Sequence, residues 1–341
     1  TEGKDGMTHR SGQWCCRLPS PVSLREVDQD VTGPRLRTIR VTEKLLLNGT
    51  KVNFSFMSDG FHDTVRKAFK VWETVGIGLR FHEVQNIENA HVRIDFGKGT
   101  GNWSQLGRDI LSIPKDQATM HIESDDLDVC LHEIGHTLGF KHEHQREDIT
   151  WDADAVYTFF ENEYSWSKED VDNNILTANP PNGVEASAFD PDSIMAYYFP
   201  PGLILEPEKY QTEAWQPASG LSETDKADVK KAYPPILKKE PQIRLVPRKT
   251  VRIEIRPGGQ KTLLVKPIET GAYVIKTMGK SDTLIVLFEE EEDGELKVIA
   301  GDEDSGKRRN ARIRTRLRKE RKYVLKVRLY SEVTNARTAV V

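Results

Sequence analysis

The sequence predicts an α+β protein whose mixed strand-and-helix N-terminal unit surrounds one central helix and is followed by an all-β sandwich or jelly roll. Three observations carry this. Up to about residue 235, strand-like and helix-like apolar spacings alternate. Residues 132–144, HEIGHTLGFKHEH, read as a helix ended by glycine. From about residue 240 the pattern becomes short alternating runs separated by turn residues. The 341 residues exceed the usual size of one domain, and the boundaries expected are 1–40 for an N-terminal extension or prosegment remnant, 41–238 for the first domain and 239–341 for the second.

Residues 1–40 are polar, carry Pro19, Pro21 and Pro34 and show no sustained period, so they read as an extended segment. Val52, Phe54 and Phe56 alternate as in a half-buried strand, and Ser58, Asp59 and Gly60 supply a turn and a helix start. Phe61, Val65, Ala68, Phe69, Trp72 and Val75 then follow at helical spacing, which makes them a core stripe; Gly76 and Gly78 end that helix. Strands are expected at Leu79 to Val84, His91 to Phe96 and residues 118–122. Asp125, Asp126 and Asp128 crowd the start of the central helix, where its dipole favours negative charge. Beyond it come a helix from Asp152 to Asn162, a loop at Asn179-Pro-Pro-Asn-Gly, and a helix from Ser222 to Ala232 capped by Ser222 and stopped by Pro234 and Pro235. The second domain shows strands at Val251 to Ile255, Thr262 to Val265, Ala272 to Thr277, Thr283 to Phe288, Lys297 to Ile299, Ala311 to Leu317 and Tyr323 to Leu329.

Composition narrows the classes. With 37% hydrophobic residues the chain can build cores, yet no apolar run approaches the roughly 20 residues that span a bilayer. The formal charge of −4 hides an asymmetry, because residues 241–341 hold 23 Lys and Arg against 14 Asp and Glu. Three cysteines, Cys15, Cys16 and Cys130, exclude a disulfide scaffold. Cys130 reads as a buried thiol on the central helix. A leading methionine and a secretory signal are both missing from this sequence, which reads as a processed product or a fragment.

The chemistry concentrates in the central motif. On a helix, His132 and His136 project from one face and can reach a single ion. Glu133 lies between them, better placed to act on a water than to bind metal. Gly139 lets the chain turn sharply, which brings His142 back as a third nitrogen and leaves a fourth position open, the catalytic form of a zinc site.

HExxHxxGxxH, followed later by the Asp192-Ser-Ile-Met-Ala-Tyr-Tyr198 stretch, resembles the metzincin zinc endopeptidases and their methionine turn; HEHQRED resembles the astacin family within them. The resemblance covers about residues 45–235. It implies a metzincin catalytic domain with a mixed twisted sheet, one Zn²⁺ bound by His132, His136 and His142, Glu133 as general base, Met195 beneath the metal, and Tyr197 as an extra ligand and transition-state stabiliser. It further implies that Trp103, Ser104 and Gly107 belong to the edge strand that receives an extended substrate. The family generally carries two disulfides in this domain, which three cysteines cannot form. Residues 240–341, through TMGKSDTLIVLF, GDEDSG, NARI and YVLKV, resemble the bacterial pre-peptidase C-terminal type of domain.

The expectation is therefore a metalloendopeptidase that hydrolyses protein or peptide substrates with a zinc-activated water, secreted as its family is. The alternative is a latent or non-catalytic zinc protein whose basic β-domain binds polyanions or Ca²⁺. In a latent form Cys15 or Cys16 would cap the zinc as a thiolate. Arg312, Arg314, Arg316 and Arg318 make a stripe that suits a polyanion or a solvated outer face. Asp302, Glu303 and Asp304 offer oxygen ligands for Ca²⁺ without the spacing of a dedicated loop. Sequence alone leaves the oligomeric state unknown.

Overall fold

The structure, a computed structural model, describes residues 45–177, 188–235, 243–255, 260–279, 281, 283–292, 296–302, 306, 310–329 and 336–340. Cys15, Cys16, the rest of the expected extension and the Asn179–Gly183 loop lie outside the described residues.

The upper layer is a five-stranded sheet of β1 (Lys51–Phe56), β2 (Arg80–Glu83), β3 (Val92–Phe96), β4 (Trp103–Ser104) and β5 (Met120–Ile122), in the order β2-β1-β3-β5-β4. All its pairings are parallel except β4 with β5, which leaves β4 at the edge. Against the sheet packs α1 (His62–Thr74), which buries Val65, Ala68, Phe69 and Trp72, the stripe that its periodicity predicts. Gly76, at φ +89°, ends the turn that follows. Gly107 departs from its expected place on the edge strand. It has φ +52° and opens a 3-10 turn, Gly107–Leu111, so the strand stops at Ser104.

The central helix α2 (Leu127–Thr137) is buried along nearly its whole length, since the sheet and α1 lie above it and the lower half below. Asp126 caps it, accepting from the Asp128 backbone N–H (2.9 Å). The Trp72 indole donates to Leu131 O (3.0 Å) and ties it to α1.

The lower half contains β6 (Thr150–Trp151), α3 (Ala153–Tyr164), the short α4 (Lys168–Val171) running into a π-turn at Asp172–Leu176, β7 (Ile204–Glu206) and α5 (Glu223–Ala232). Its core is largely aromatic, built on Phe160, Trp166, Tyr197, Phe199, Tyr210 and Trp215. Ile194 and Met195 belong to the upper core while Ala196 and Tyr197 belong to the lower, so this short stretch fastens the two halves together.

The C-terminal strands are β8 (Ile243–Leu245), β9 (Val251–Ile255), β10 (Gln260–Val265), β11 (Gly271–Met278), β12 (Thr283–Glu290), β13 (Leu296–Asp302), β14 (Arg312–Leu317), β15 (Lys322–Leu329) and β16 (Ala336–Val340). They form a sandwich of two sheets, β13-β12-β15-β10-β8 and β14-β11-β16-β9, around one apolar core. The seven predicted strands are all present. Strands β8 and β16 are additions, too short or too weakly alternating to stand out in the sequence.

Gly139 is the fold's most exacting backbone position. Its φ is +90°, and a Cβ there would meet Leu45 Cδ2 at 2.9 Å. Replacing Gly139 by Ala should cost about 1–3 kcal/mol through backbone strain and overpacking, read as a lower urea midpoint at unchanged slope.

Candidate active site

The three histidines converge as their spacing predicts. One ligand atom from each lies within 4.8 Å of the others, and among the described residues this is the one such cluster. His136 and His142 are fully buried and His132 nearly so. His136 Nε2 and His142 Nε2 are 3.1 Å apart, while His132 Nε2 is buried without a hydrogen-bond partner. Backbone carbonyls fix the rings. His132 Nδ1–H donates to Ile194 O (2.7 Å) and His136 Nδ1–H to Phe140 O (2.7 Å), which leaves both Nε2 lone pairs facing inward.

Such an arrangement fits a cation. Burial pushes His132 down to about 4 and holds His136 and His142 well below the ordinary imidazole value, so near neutral pH the three rings are uncharged. A divalent metal is the charge that satisfies three neutral, buried nitrogens at once.

Glu133 is buried beside this cluster on α2. The Tyr197 hydroxyl is hydrogen-bonded to His142 Nε2 (2.8 Å). Met195 packs against the helix from below. A Cβ on Gly135 would stand 2.3 Å from Met195 Sδ, so the glycine inside the motif is what admits the methionine.

Several residues to which the sequence reading gave no structural role, Glu143 of the HEHQRED run among them, hold this geometry. Asp225, on α5, accepts from the Ser193 hydroxyl (2.7 Å) and the Ile194 N–H (2.8 Å), and Ile194 O is the acceptor for His132. Asp225 also completes a capping box with Ser222, and that S-x-x-D pattern was its only trace in the sequence. Tyr233 donates to Leu138 O (2.8 Å) at the end of α2. His144 stacks on His142 (centroids 4.8 Å apart), and its Nε2–H donates to Asn174 O (2.9 Å) in the π-turn. Glu143 accepts from Arg146 (3.1 Å) and the Asp190 N–H (3.1 Å), and burial outweighs these partners to push its carboxyl up to about 7.

Other candidates separate from the site. Cys130 is a buried free thiol pushed up to about 12, mainly by burial, and so is inert. Asp302 accepts from the Arg312 N–H (2.6 Å), and Glu303 and Asp304 lie outside the described residues; nothing described supports Ca²⁺. Arg316 and Arg318 share a groove with Glu289, Glu291 and Glu292, so the stripe's field is mixed in sign. No helix among the described residues is long and apolar enough to cross a membrane.

A mixed sheet with an antiparallel edge, a central helix bearing HExxH, a glycine turn to a third histidine and a methionine packed beneath define a metzincin domain. Residues 48–200 match the sequence model of the peptidase family described as Astacin. The chain thus carries an astacin-like metzincin domain. It is 28% identical to zinc metalloproteinase nas-28 of Caenorhabditis elegans over 151 residues, 43% of this chain and 27% of that protein. With Protein SpAN of Strongylocentrotus purpuratus it shares 30% identity over 95 residues, 27% of this chain and 15% of that protein. A solved structure of myroilysin superposes with a TM-score of 0.53 at 29% identity, covering 58% of this chain and 98% of that one. This chain therefore spans about a quarter or less of the curated relatives, but nearly all of myroilysin.

Two outcomes are expected. Replacing Asp225 by Ala should cost about 2–4 kcal/mol and, by freeing Ile194, weaken zinc binding roughly 10- to 100-fold in a chelator competition. In the metal-free chain, His132 has a folded pKa of about 4, below its unfolded value near 6.5. The unfolded state then takes up protons that the folded state refuses. Stability is full above about pH 6.5 and falls towards pH 4, by about 3 kcal/mol from this group, measured by urea titrations at each pH.

Proposed function

We propose that the chain is a zinc-dependent metalloendopeptidase that hydrolyses peptide bonds of protein substrates. One observation carries this reading: three buried histidine donors converge on one point, with the Glu133 carboxylate on the same helix and the Tyr197 hydroxyl at His142.

His132, His136 and His142 would hold the metal. Zinc bound there supplies Lewis acidity, acidifying water at its open position and polarising a carbonyl. Glu133 takes the proton of the attacking water and delivers it to the leaving amine. Tyr197 leaves its contact with His142 Nε2 and donates its O–H to the developing oxyanion. The free edge of β4 pairs with an extended peptide as an added strand, so Trp103 and Ser104 set the substrate's direction across the site, while Gly107 lies just past the strand. Secretion belongs to this reading, as it is the habit of the family that the motifs resemble.

The test is hydrolysis of a denatured protein substrate. Activity should disappear with a zinc chelator and return with zinc. Glu133→Gln should keep zinc at one per chain and lose about 10²–10⁴ in kcat; that variant retaining full turnover would falsify the role of Glu133. Tyr197→Phe should lower kcat by roughly 10²-fold with a smaller change in KM.

A further inference from the structure

Strand β15 is buried on both faces, which an outer sheet of a free-standing sandwich would not be. Tyr323, Leu325, Val327 and Leu329 enter the sandwich core, and Val324, Lys326 and Arg328 on the opposite face are buried as well. Burying a lysine and an arginine is costly unless their protons meet acceptors. Both meet the stretch that leads into β1. Arg328 donates to Leu46 O (2.9 Å), Lys326 to Asn48 O (2.9 Å), and the Gln260 amide from neighbouring β10 also to Asn48 O (3.1 Å).

That stretch reaches the turn that ends α2, just past His136. The Leu46 N–H donates to the Tyr233 hydroxyl (3.0 Å), which itself donates to Leu138 O (2.8 Å) at the end of α2. Leu45 fills the space that a Cβ on Gly139 would need. The same turn, 138–140, presents Phe140 O, the acceptor that orients His136. Apolar packing alone does not secure the joint, since Leu46, Leu47 and Val52 share a cavity of about 580 Å³ with Leu284, Val286 and Phe288. Directed hydrogen bonds are what fix the segment's position there.

We infer that the C-terminal sandwich is an intramolecular brace for the metal centre: Arg328 and Lys326 clamp residues 46–48, and Tyr233 passes that constraint to the turn whose Phe140 carbonyl orients His136. This rests on the peptidase reading only in taking His136 as a zinc ligand. Arg328, Lys326 and Tyr233 are positioning residues and do not touch substrate.

The experiment uses the full chain with zinc as the probe, measuring affinity by chelator competition and the visible absorption of the cobalt-substituted protein. Arg328→Met, Lys326→Met and Tyr233→Phe should each weaken zinc binding roughly tenfold and shift the cobalt bands. Arg328→Lys should recover part of the loss. Because Arg328 and Tyr233 act through one segment, the Arg328→Met/Tyr233→Phe double variant should be little worse than the weaker single. Lys326→Met keeps the test open if Arg328→Met does not fold. Unchanged affinity and cobalt spectrum in folded variants, or fully additive losses, would overturn the brace while leaving the peptidase reading intact. A wild-type chain that binds no zinc would overturn both.

Discussion

Two short hydrogen bonds, from His132 Nδ1–H to Ile194 O and from His136 Nδ1–H to Phe140 O, are the constraint on which the metal site depends. They decide which nitrogen of each ring carries the proton and therefore where the lone pairs point. Everything around them serves to hold two backbone carbonyls still. Ile194 is held through its N–H by Asp225 on α5, and Met195 beneath it seats against Gly135. Phe140 lies in the turn opened by Gly139 and held by Tyr233. The helix α5, close to the end of the metzincin-like unit, thus contributes to both carbonyls through residues eight apart.

Energy is concentrated in the same place. The three imidazoles resist protonation because burial disfavours their charged forms, so proton uptake by the unfolded state opposes folding of the metal-free chain as pH falls. Binding of a cation turns the arrangement from a cost into a source of stability, because the site forms only in the folded state.

Much of this was legible in the sequence because it depends on local spacing. His132, His136, Gly139 and His142 lie within eleven residues, so helix geometry and one left-handed turn suffice to bring them together. The α1 stripe and the alternating strands were read by period alone. Long-range contacts were the part that escaped. Asp225 and Tyr233 sit on a polar helix whose pattern gives no hint of partners 31 and 95 residues away. Lys326 and Arg328 look like the solvated positions of a strand, and only their contact with Leu46 and Asn48, more than 270 residues earlier, shows that the face is covered. Gly107 was placed on a strand by resemblance, whereas its positive φ commits it to a turn.

The metal environment itself is the most direct measurement: zinc content per chain together with zinc-edge X-ray absorption on the resting protein. One zinc per chain, with three imidazole nitrogens at about 2.0–2.1 Å and a light oxygen ligand, is the expected result. A chain free of zinc, or a sulfur shell at about 2.3 Å in place of the oxygen, would contradict an open three-histidine centre.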